Sequence, residues 1–137
     1  MKRRVQSGSP FEPVYGFCRA VRTGDRIDVA GTAPVPVPGE SVADGAYAQM
    51  LRCGTIVAEA LAELGGSMHD VVRTRMFITD AGDADAVGQA HGVLFGEANP
   101  VATMVVVAAL IDPTWKVELE VEALLDPPSC FGDARRE

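Results

Sequence analysis

The chain has 137 residues, of which 47% are hydrophobic and 6% aromatic, and its formal net charge is −7 at pH 7. This length and composition predict one folded domain, residues 1–137, that can bury a core without disulfides or a metal ion. The acidic balance argues against nucleic acid and anionic membranes as partners, because both would repel the protein.

Three cysteines lie far apart in the sequence, at Cys18, Cys53 and Cys130. Their spacing fits neither a disulfide framework nor a C-x-x-C metal motif, so we expect free thiols in a reducing compartment. The N-terminus lacks the apolar segment of a signal peptide, and the apolar run at residues 101–111 is too short to span a bilayer. These features predict a cytoplasmic protein without a membrane segment.

The first predicted element is a β-hairpin. Residues 18–22 and 26–30 flank the turn sequence Thr23-Gly24-Asp25, and the second segment alternates apolar with charged side chains. This assignment places Cys18 in a strand. The proline-rich stretch at residues 31–39 follows as a loop.

A long amphipathic helix is predicted at residues 44–64. Its apolar stripe contains Tyr47, Met50, Leu51, Val57, Ala58, Leu61 and Leu64, with Gln49, Arg52, Glu59 and Glu63 off the stripe. Ser41 or Asp44 is expected to cap its start, and Gly65-Gly66 to supply the left-handed residue at its end.

Residues 71–79 alternate in polarity and predict the next strand. The alternation places Arg73, Arg75 and Phe77 on one face, and Val72, Thr74, Met76 and Ile78 on the other. Two arginines on one face of a strand require anionic neighbours.

A second helix is predicted at residues 83–95. Gly88 and Gly92 lie inside it and cost about 1 kcal/mol each relative to alanine, unless they permit close packing. His91 lies on its apolar edge, and we interpret it as a packing residue.

Two more strands are predicted after this helix. Residues 103–110 form a β-branched apolar run, typical of a strand buried on both faces, and residues 116–125 alternate strictly. On the last strand Glu118, Glu120 and Glu122 share one face, about 6.7 Å apart. Their mutual repulsion requires neutralisation, for which the arginines of the earlier strand are the candidates.

The predicted elements are two helices and about six strands, which indicates an α+β fold with both helices on one face of a single sheet. The other face then lacks a cover, so we expect the structure to be completed by association. Residues 126–137 are interpreted as a C-terminal tail.

Few motifs of known chemistry are present. The two histidines, His69 and His91, are adjacent neither to a cysteine nor to each other, so no zinc ligand set is predicted. No G-x-S-x-G, P-loop or G-x-G-x-x-G motif occurs. We therefore expect no metal and no cofactor.

Several stretches together resemble the RidA/YjgF family in order and spacing. They are residues 9–13 (SPFEP), 16–22 (GFCRAVR), 24–32 (GDRIDVAGT), 70–80 (DVVRTRMFITD), 99–107 (NPVATMVVV) and 116–120 (KVELE). The resemblance implies a chorismate-mutase-like α+β fold, with a six-stranded mixed sheet and two helices on one face. It also implies a homotrimer in which three sheets form a barrel.

The resemblance further implies a small-molecule site in clefts between subunits and hydrolytic deamination of reactive enamines or imines, without a cofactor. By position in the family motifs, Glu118 matches the catalytic glutamate, although Glu120 remains an alternative. Phe17, Gly31, Thr103 and Met104 match positions that line the substrate cleft. The arginine that holds the substrate carboxylate in the active deaminases is replaced here by Ala102.

Arg19 and Arg75 are the candidate substitutes for this anchor, although strand alternation would point Phe17 and Arg19 to opposite faces. Alanine carries no charge and cannot hold a carboxylate as arginine does. Two functions therefore remain open: an enamine or imine deaminase, and a non-catalytic small-molecule-binding or regulatory trimer. An endoribonuclease activity, attached to some family members, is disfavoured by the acidic charge.

Overall fold

The computed structural model describes residues 1–126, so Cys130 and residues 127–137 of the expected tail lie outside it. Six strands form one sheet: β1 (Lys2–Val5), β2 (Ala20–Thr23), β3 (Arg26–Thr32), β4 (Val71–Ile78), β5 (Val101–Val106) and β6 (Val117–Leu124). Three α-helices accompany them: α1 (Phe11–Tyr15), α2 (Ala46–Glu63) and α3 (Ala84–Phe95). The sequence patterns did not predict β1 or α1.

The strands are arranged in the order β1-β2-β3-β6-β4-β5. Strands β4 and β5 are parallel and are connected through α3, whereas every other neighbouring pair is antiparallel. The last strand of the sheet in sequence, β6, therefore lies near its centre, between β3 and β4. This confirms the predicted six-stranded mixed sheet.

The predicted hairpin is confirmed as β2 and β3, paired from Thr23 with Arg26 to Ala20 with Val29. Gly24 in its turn has a φ of 62°, a conformation that glycine adopts without steric cost. The placement of Cys18 in a strand was wrong, because β2 begins at Ala20. Cys18 lies in the segment that connects α1 to the sheet.

The long predicted helix is confirmed as α2, but its start is not capped as expected. Gly45 precedes the first turn with a φ of 87°, and no side chain bonds to the helix N-terminus, so neither Ser41 nor Asp44 is its cap. At the other end, the N–H of Gly66 bonds to the carbonyl of Leu61 and Gly65 adopts a φ of 83°. This Schellman arrangement confirms the predicted C-terminal signal.

Two side chains of α2 differ from the predicted stripe. Tyr47 is 41% exposed, whereas Gln49 is buried. Gln49 donates hydrogen bonds to the carbonyls of Ala43 and Thr114 and accepts one from the N–H of Lys116 at 2.7 Å. Because all of its polar atoms are bonded, the amide can be buried without the usual desolvation cost.

The core lies between the sheet and the pair α2 and α3, which cover one face together. Its largest fully buried side chains include Phe95, Ile27, Met50, Leu61 and Leu119. The two helices approach closely at Gly54, where an added Cβ would lie 2.5 Å from side-chain carbons of Leu94. The expected two-helix layer is therefore present.

Strand β4 departs from the simple alternation at its start. The pairing with β6 shifts between Val71 and Arg73. This bulge brings Val71 into the core and leaves Val72 46% exposed, so the prediction that Val72 shares a face with Thr74, Met76 and Ile78 was wrong. Thr74, Met76 and Ile78 share one face, as predicted, and all three are buried.

Strand β5 is not buried on both faces, which corrects another prediction. It forms an edge of the sheet, begins at Val101 rather than at residue 103, and ends at Val106. Val101, Val105 and Val106 are between 42% and 58% exposed. This apolar run therefore forms an edge strand of the sheet in the single chain.

None of the helices in residues 1–126 has the length and apolar character required to cross a membrane.

Candidate functional site

The face of the sheet opposite the helices carries ordered rows of charge, and we call this surface the open face. In the β4–β6 register, Arg75 is opposite Glu120 and Arg73 is opposite Glu122. The Nη1 atom of Arg75 lies 3.6 Å from Glu120 and 3.2 Å from Glu122, and Arg73 lies 3.5 Å from Glu122. The predicted neutralisation of the glutamate row by these two arginines is thus present for two of its members.

Glu118 is the exception in this row. Its neighbour across β4 is Phe77, so no cation of the adjacent strand faces it. Glu118 is only partly exposed, and burial raises the pKa of its carboxyl group above the ordinary value; Arg19 partly opposes this effect, and Glu120 adds to it. Of the two candidate glutamates, Glu118 is therefore partly buried with no ion pair among residues 1–126, whereas Glu120 forms an ion pair with Arg75.

A β-bulge in β3 brings Gly31 against Glu118. Val29 pairs with Val121 and Thr32 with Leu119, so three steps along β3 match two along β6. A Cβ atom on residue 31 would clash with the Glu118 carboxylate. The absence of a side chain at Gly31 therefore gives this carboxylate its position, and bulges of this kind frequently re-aim side chains beside functional sites.

Arg19 lies next to the same pair. Its Nη2 atom donates a hydrogen bond of 2.6 Å to the Gly31 carbonyl, and Glu12 and Glu118 are both within electrostatic range. Its Nε is buried and has no partner among residues 1–126, and burial lowers the pKa of the guanidinium. The expectation that Phe17 and Arg19 point to opposite faces does not apply, because both residues precede β2 and strand alternation does not govern them.

Glu12 belongs to the same cluster and was missed by the sequence reasoning. It is 2% exposed although it lies in the short helix α1. Its carboxylate accepts hydrogen bonds from the backbone N–H and the hydroxyl of Ser7. The available signal was the serine-rich segment just before it, since serines preceding a helical glutamate are typical of capping interactions.

Cys53 lies under the site, on α2. Burial raises the pKa of its thiol to about 12, with a further contribution from the Glu118 charge. A thiol with so high a pKa is not a nucleophile at neutral pH. Cys53 is therefore a packing residue, with the free thiol expected from the sequence.

Ala102, Thr103 and Met104 lie on β5, away from this cluster. Strand β4 separates β5 from β6, which carries Glu118, a distance of about 10 Å at the usual interstrand spacing. Within one chain, β4 therefore lies between these residues and Glu118. Thr103 pairs with Arg75, whose guanidinium is already bound to glutamates.

The β5 residues also divide between the two faces of the sheet. Ala102 is exposed and pairs with Thr74, on the helix side, where Met104 packs partly against the core. The hydroxyl of Thr74 lies 2.7 Å from Nε2 of His91, and burial lowers the pKa of this imidazole. The polar group nearest to Ala102 in the sheet register is therefore a neutral threonine–histidine pair.

Phe17 lines an open cleft of about 600 Å³ that also includes Arg4, Glu12 and Cys18. The Phe17 ring is 44% exposed. Its backbone N–H bonds to the Glu12 carbonyl, which connects this cleft to the Arg19 cluster. The structure describes no group of three or more His, Cys, Asp or Glu side chains in residues 1–126 that could hold a metal ion.

The chain is similar to known proteins in sequence and in fold. The model of the family described as Endoribonuclease L-PSP matches residues 8–125. A Mycobacterium tuberculosis member of the YjgF/YER057c/UK114 family superposes with a TM-score of 0.82 at 39% identity, over 91% of this chain and 100% of that chain. The chain belongs to the YjgF/RidA family.

Relatives in sequence support this family assignment. An uncharacterised protein of Streptomyces coelicolor is 46% identical over 124 residues, which cover 88% of this chain and 90% of that protein. A Pyrococcus abyssi protein of the RutC family is 30% identical over 114 residues, covering 82% and 87% of the two chains. The YjgF/RidA fold implied by the sequence motifs is confirmed.

Proposed function

We propose that this protein hydrolyses small reactive imines or enamines to a carbonyl compound and ammonia, in a cleft between the chains of a homotrimer. The observation that carries the proposal is the environment of Glu118, a partly buried carboxylate whose pKa is raised by burial and whose position depends on Gly31. A raised pKa brings a carboxyl group closer to neutral pH, where it can both accept and return a proton.

The chemistry requires one water molecule and this acid–base group. As the water oxygen bonds to the C=N carbon, Glu118 accepts a proton from the water, and the C=N electron pair moves to nitrogen. Glu118 then returns this proton to the nitrogen, which completes the carbinolamine. In a second transfer, Glu118 takes the hydroxyl proton of the carbinolamine and delivers it to the nitrogen, so that the C–N bond breaks, the C=O bond forms and ammonia leaves. One imine and one water give one carbonyl compound and one ammonia, so no oxidant, reductant or cofactor is needed.

A cleft shared between chains is supported by the separation of the two residue groups. The Glu118 cluster lies near β3, whereas Ala102, Thr103 and Met104 lie on the outer strand β5. A trimer in which β5 of one chain packs beside the Glu118 cluster of the next would unite them. The exposed valines of β5 are suited to such packing, since a large apolar edge is unfavourable in water.

The second candidate is a non-catalytic small-molecule-binding or regulatory trimer. It is favoured by Ala102, which gives an exposed, uncharged surface where the family resemblance expects an arginine. RNA is not part of either proposal, because a chain with a net charge of −7 repels a polyphosphate backbone.

The test measures the rate at which imines generated in solution by amino-acid or amine oxidation are hydrolysed. Hydrolysis competes with trapping of the imine by semicarbazide, which provides the readout. We expect the purified protein to accelerate hydrolysis and Glu118→Gln to lose at least 100-fold in rate, within the range for a general acid–base group. Glu120→Gln is the matched control and should retain most activity. Binding of a metabolite without turnover, with no rate difference between wild type and Glu118→Gln, would support the second candidate instead.

A further inference from the structure

Arg19 carries a partly buried guanidinium group, most of whose hydrogen-bond donors are unused. A guanidinium has five N–H donors, and within residues 1–126 Arg19 donates one hydrogen bond, from Nη2 to the carbonyl of Gly31. Its Nε is the one buried side-chain nitrogen or oxygen of these residues that has no partner. Nη1 is also unbonded there but is not buried, so a ligand can reach the guanidinium at this atom.

The positive charge of Arg19 is not neutralised by an ion pair either. Glu12 and Glu118 act on it electrostatically, but neither carboxylate lies within ion-pair distance of the guanidinium. Arg75, the other candidate anchor, differs because its Nη1 atom forms ion pairs with two glutamates of β6. Of the two candidates, Arg19 is therefore the one whose charge is unpaired in residues 1–126.

Two other cations of this region, Arg4 in the Phe17 cleft and Lys116 at the start of β6, have side chains without a hydrogen bond or ion pair in the described part of the chain. Both are exposed, whereas Arg19 is partly buried. An exposed cation is screened by water and holds an anion weakly, and partial burial strengthens the attraction. Arg19 is therefore the cation best suited to bind an anionic group.

Gly31 connects Arg19 to Glu118. The guanidinium bonds to the carbonyl oxygen of Gly31, and the Glu118 carboxylate lies where a Cβ on this residue would be. Because the carbonyl oxygen and the Cβ position of one residue are about 3 Å apart, the two charged groups lie within about 8 Å of each other. A carboxylate bonded to Arg19, the imine carbon next to it and one water bonded to Glu118 fit into this length at ordinary hydrogen-bond distances.

We infer that Arg19 is a specificity-determining residue of this site, and that it holds a carboxylate group adjoining the C=N bond of the substrate. This inference rests on the proposed function and specifies how its substrate is held. The anchor then lies in the segment before β2, and not at residue 102 on β5. One chain thus supplies both the anchor and the acid–base group, Glu118.

The experiment compares two imines that differ only in the carboxylate. An amino-acid oxidase makes one from leucine, and a flavin-dependent amine oxidase makes the other from isopentylamine. We expect Arg19→Met to raise KM for the leucine product about tenfold or more, and KM for the isopentylamine product about threefold at most. Arg19→Lys, which keeps the charge, should restore part of the loss. If Arg19→Met does not fold, Arg19→Gln, which keeps a donor for the Gly31 carbonyl, carries the same comparison.

A purely structural role of Arg19 would displace Glu118 and slow both reactions to the same extent, and this result would overturn the inference. Faster hydrolysis of the isopentylamine product than of the leucine product by the wild type would also overturn it.

Three further variants distinguish Arg19 from the other cations. Arg4→Met and Lys116→Met should each change KM for the leucine product less than Arg19→Met does. Lys2→Met, at an exposed position about 20 Å along the strands from Glu118, is the matched control and should leave both KM values unchanged. Loss of the preference for the carboxylate in Arg4→Met or Lys116→Met, but not in Arg19→Met, would assign the anchor elsewhere and refute the inference.

A binding measurement applies if neither imine is hydrolysed, a result that would refute the proposed activity alone. The probes are 4-methyl-2-oxopentanoate and its uncharged amide, each titrated into the wild type, Arg19→Met and Lys2→Met by calorimetry. Binding of the carboxylate about tenfold tighter than the amide supports the inference, provided that Arg19→Met loses this difference and Lys2→Met keeps it. Equal binding of the two probes, no binding, or a difference that survives in Arg19→Met would contradict it.

Discussion

The carboxylate of Glu118 occupies the space that a Cβ atom on residue 31 would fill, so Gly31 and Glu118 are fitted to each other across β3 and β6. The contact involves the far end of a flexible side chain. A substitution at Gly31 can therefore displace the carboxylate without disrupting the sheet. Substitution of Gly31 therefore tests the position of the Glu118 carboxylate, whereas Glu118→Gln tests its charge.

For Gly31→Ala, we expect the fold to be retained and imine hydrolysis to fall at least tenfold, because the added methyl group moves the Glu118 carboxylate from its position. The measurements are kcat/KM and Tm. Gly88→Ala is the control, since a Cβ there meets nothing within 4 Å. Full activity of Gly31→Ala would show that the position of the carboxylate is not critical.

Glu118→Gln is expected to be more stable than the wild type at neutral pH. Because the folded-state pKa of Glu118 is raised above its ordinary value of 4.5, its ionised form is disfavoured by folding. In the wild type, the protonated form of Glu118 contributes stability below about pH 4.5, and this contribution is lost as the pH rises through the folded-state pKa. The Tm difference between variant and wild type should therefore grow from pH 4 to pH 8. A constant difference would contradict the raised pKa.

The Arg75–Glu122 ion pair is expected to contribute about 0.5–1 kcal/mol in a double-mutant cycle of Arg75→Met and Glu122→Gln. The side chains are 39% and 24% exposed, so added salt should reduce the coupling. The Arg26–Asp28 pair, at 55% and 40% exposure, is the comparison and should show weaker coupling. Denaturant unfolding gives both values, and equal couplings would show that partial burial adds nothing.

Substitution of glycines in α2 and α3 by alanine should change the free energy of unfolding in opposite directions. Gly88→Ala and Gly92→Ala each have open space for the methyl group and should stabilise the protein by up to about 1 kcal/mol. Gly54→Ala should destabilise it by about 1–3 kcal/mol, because the methyl group would overlap Leu94. Urea unfolding distinguishes the two cases. If Gly54→Ala is as stable as the wild type, α2 and α3 can move apart at little cost in the free energy of unfolding.

The fold was predictable where the signal is local. The hairpin at Gly24, the end of α2 at Gly65 and the alternation of β6 each follow from short-range backbone or periodicity rules. The burial of β5 was not predictable, because an apolar run looks the same in a buried strand and at an uncovered edge. The start of α2 was misassigned because Gly45, and not a polar side chain, precedes it.

The site was predictable only in part. The family motifs pointed to Glu118 and Gly31, but the distinction from Glu120 depends on which residue of β4 lies opposite, namely Phe77 or Arg75. That pairing is set by register between distant segments. The serines before Glu12 indicated its local hydrogen bonds, but its burial was not predictable, because a glutamate in a short helix is usually exposed.

The central position of β6 also has a consequence for synthesis of the protein. Strands β3 and β4 have no contact as neighbours until β6 lies between them, and β6 follows every other strand of the sheet in the sequence. While the ribosome is still translating earlier segments, the nascent chain can form the hairpin and helices but not the continuous sheet. Closure of the core must therefore wait for residues 117–124, and until then the apolar face of α2 has no complete sheet to pack against.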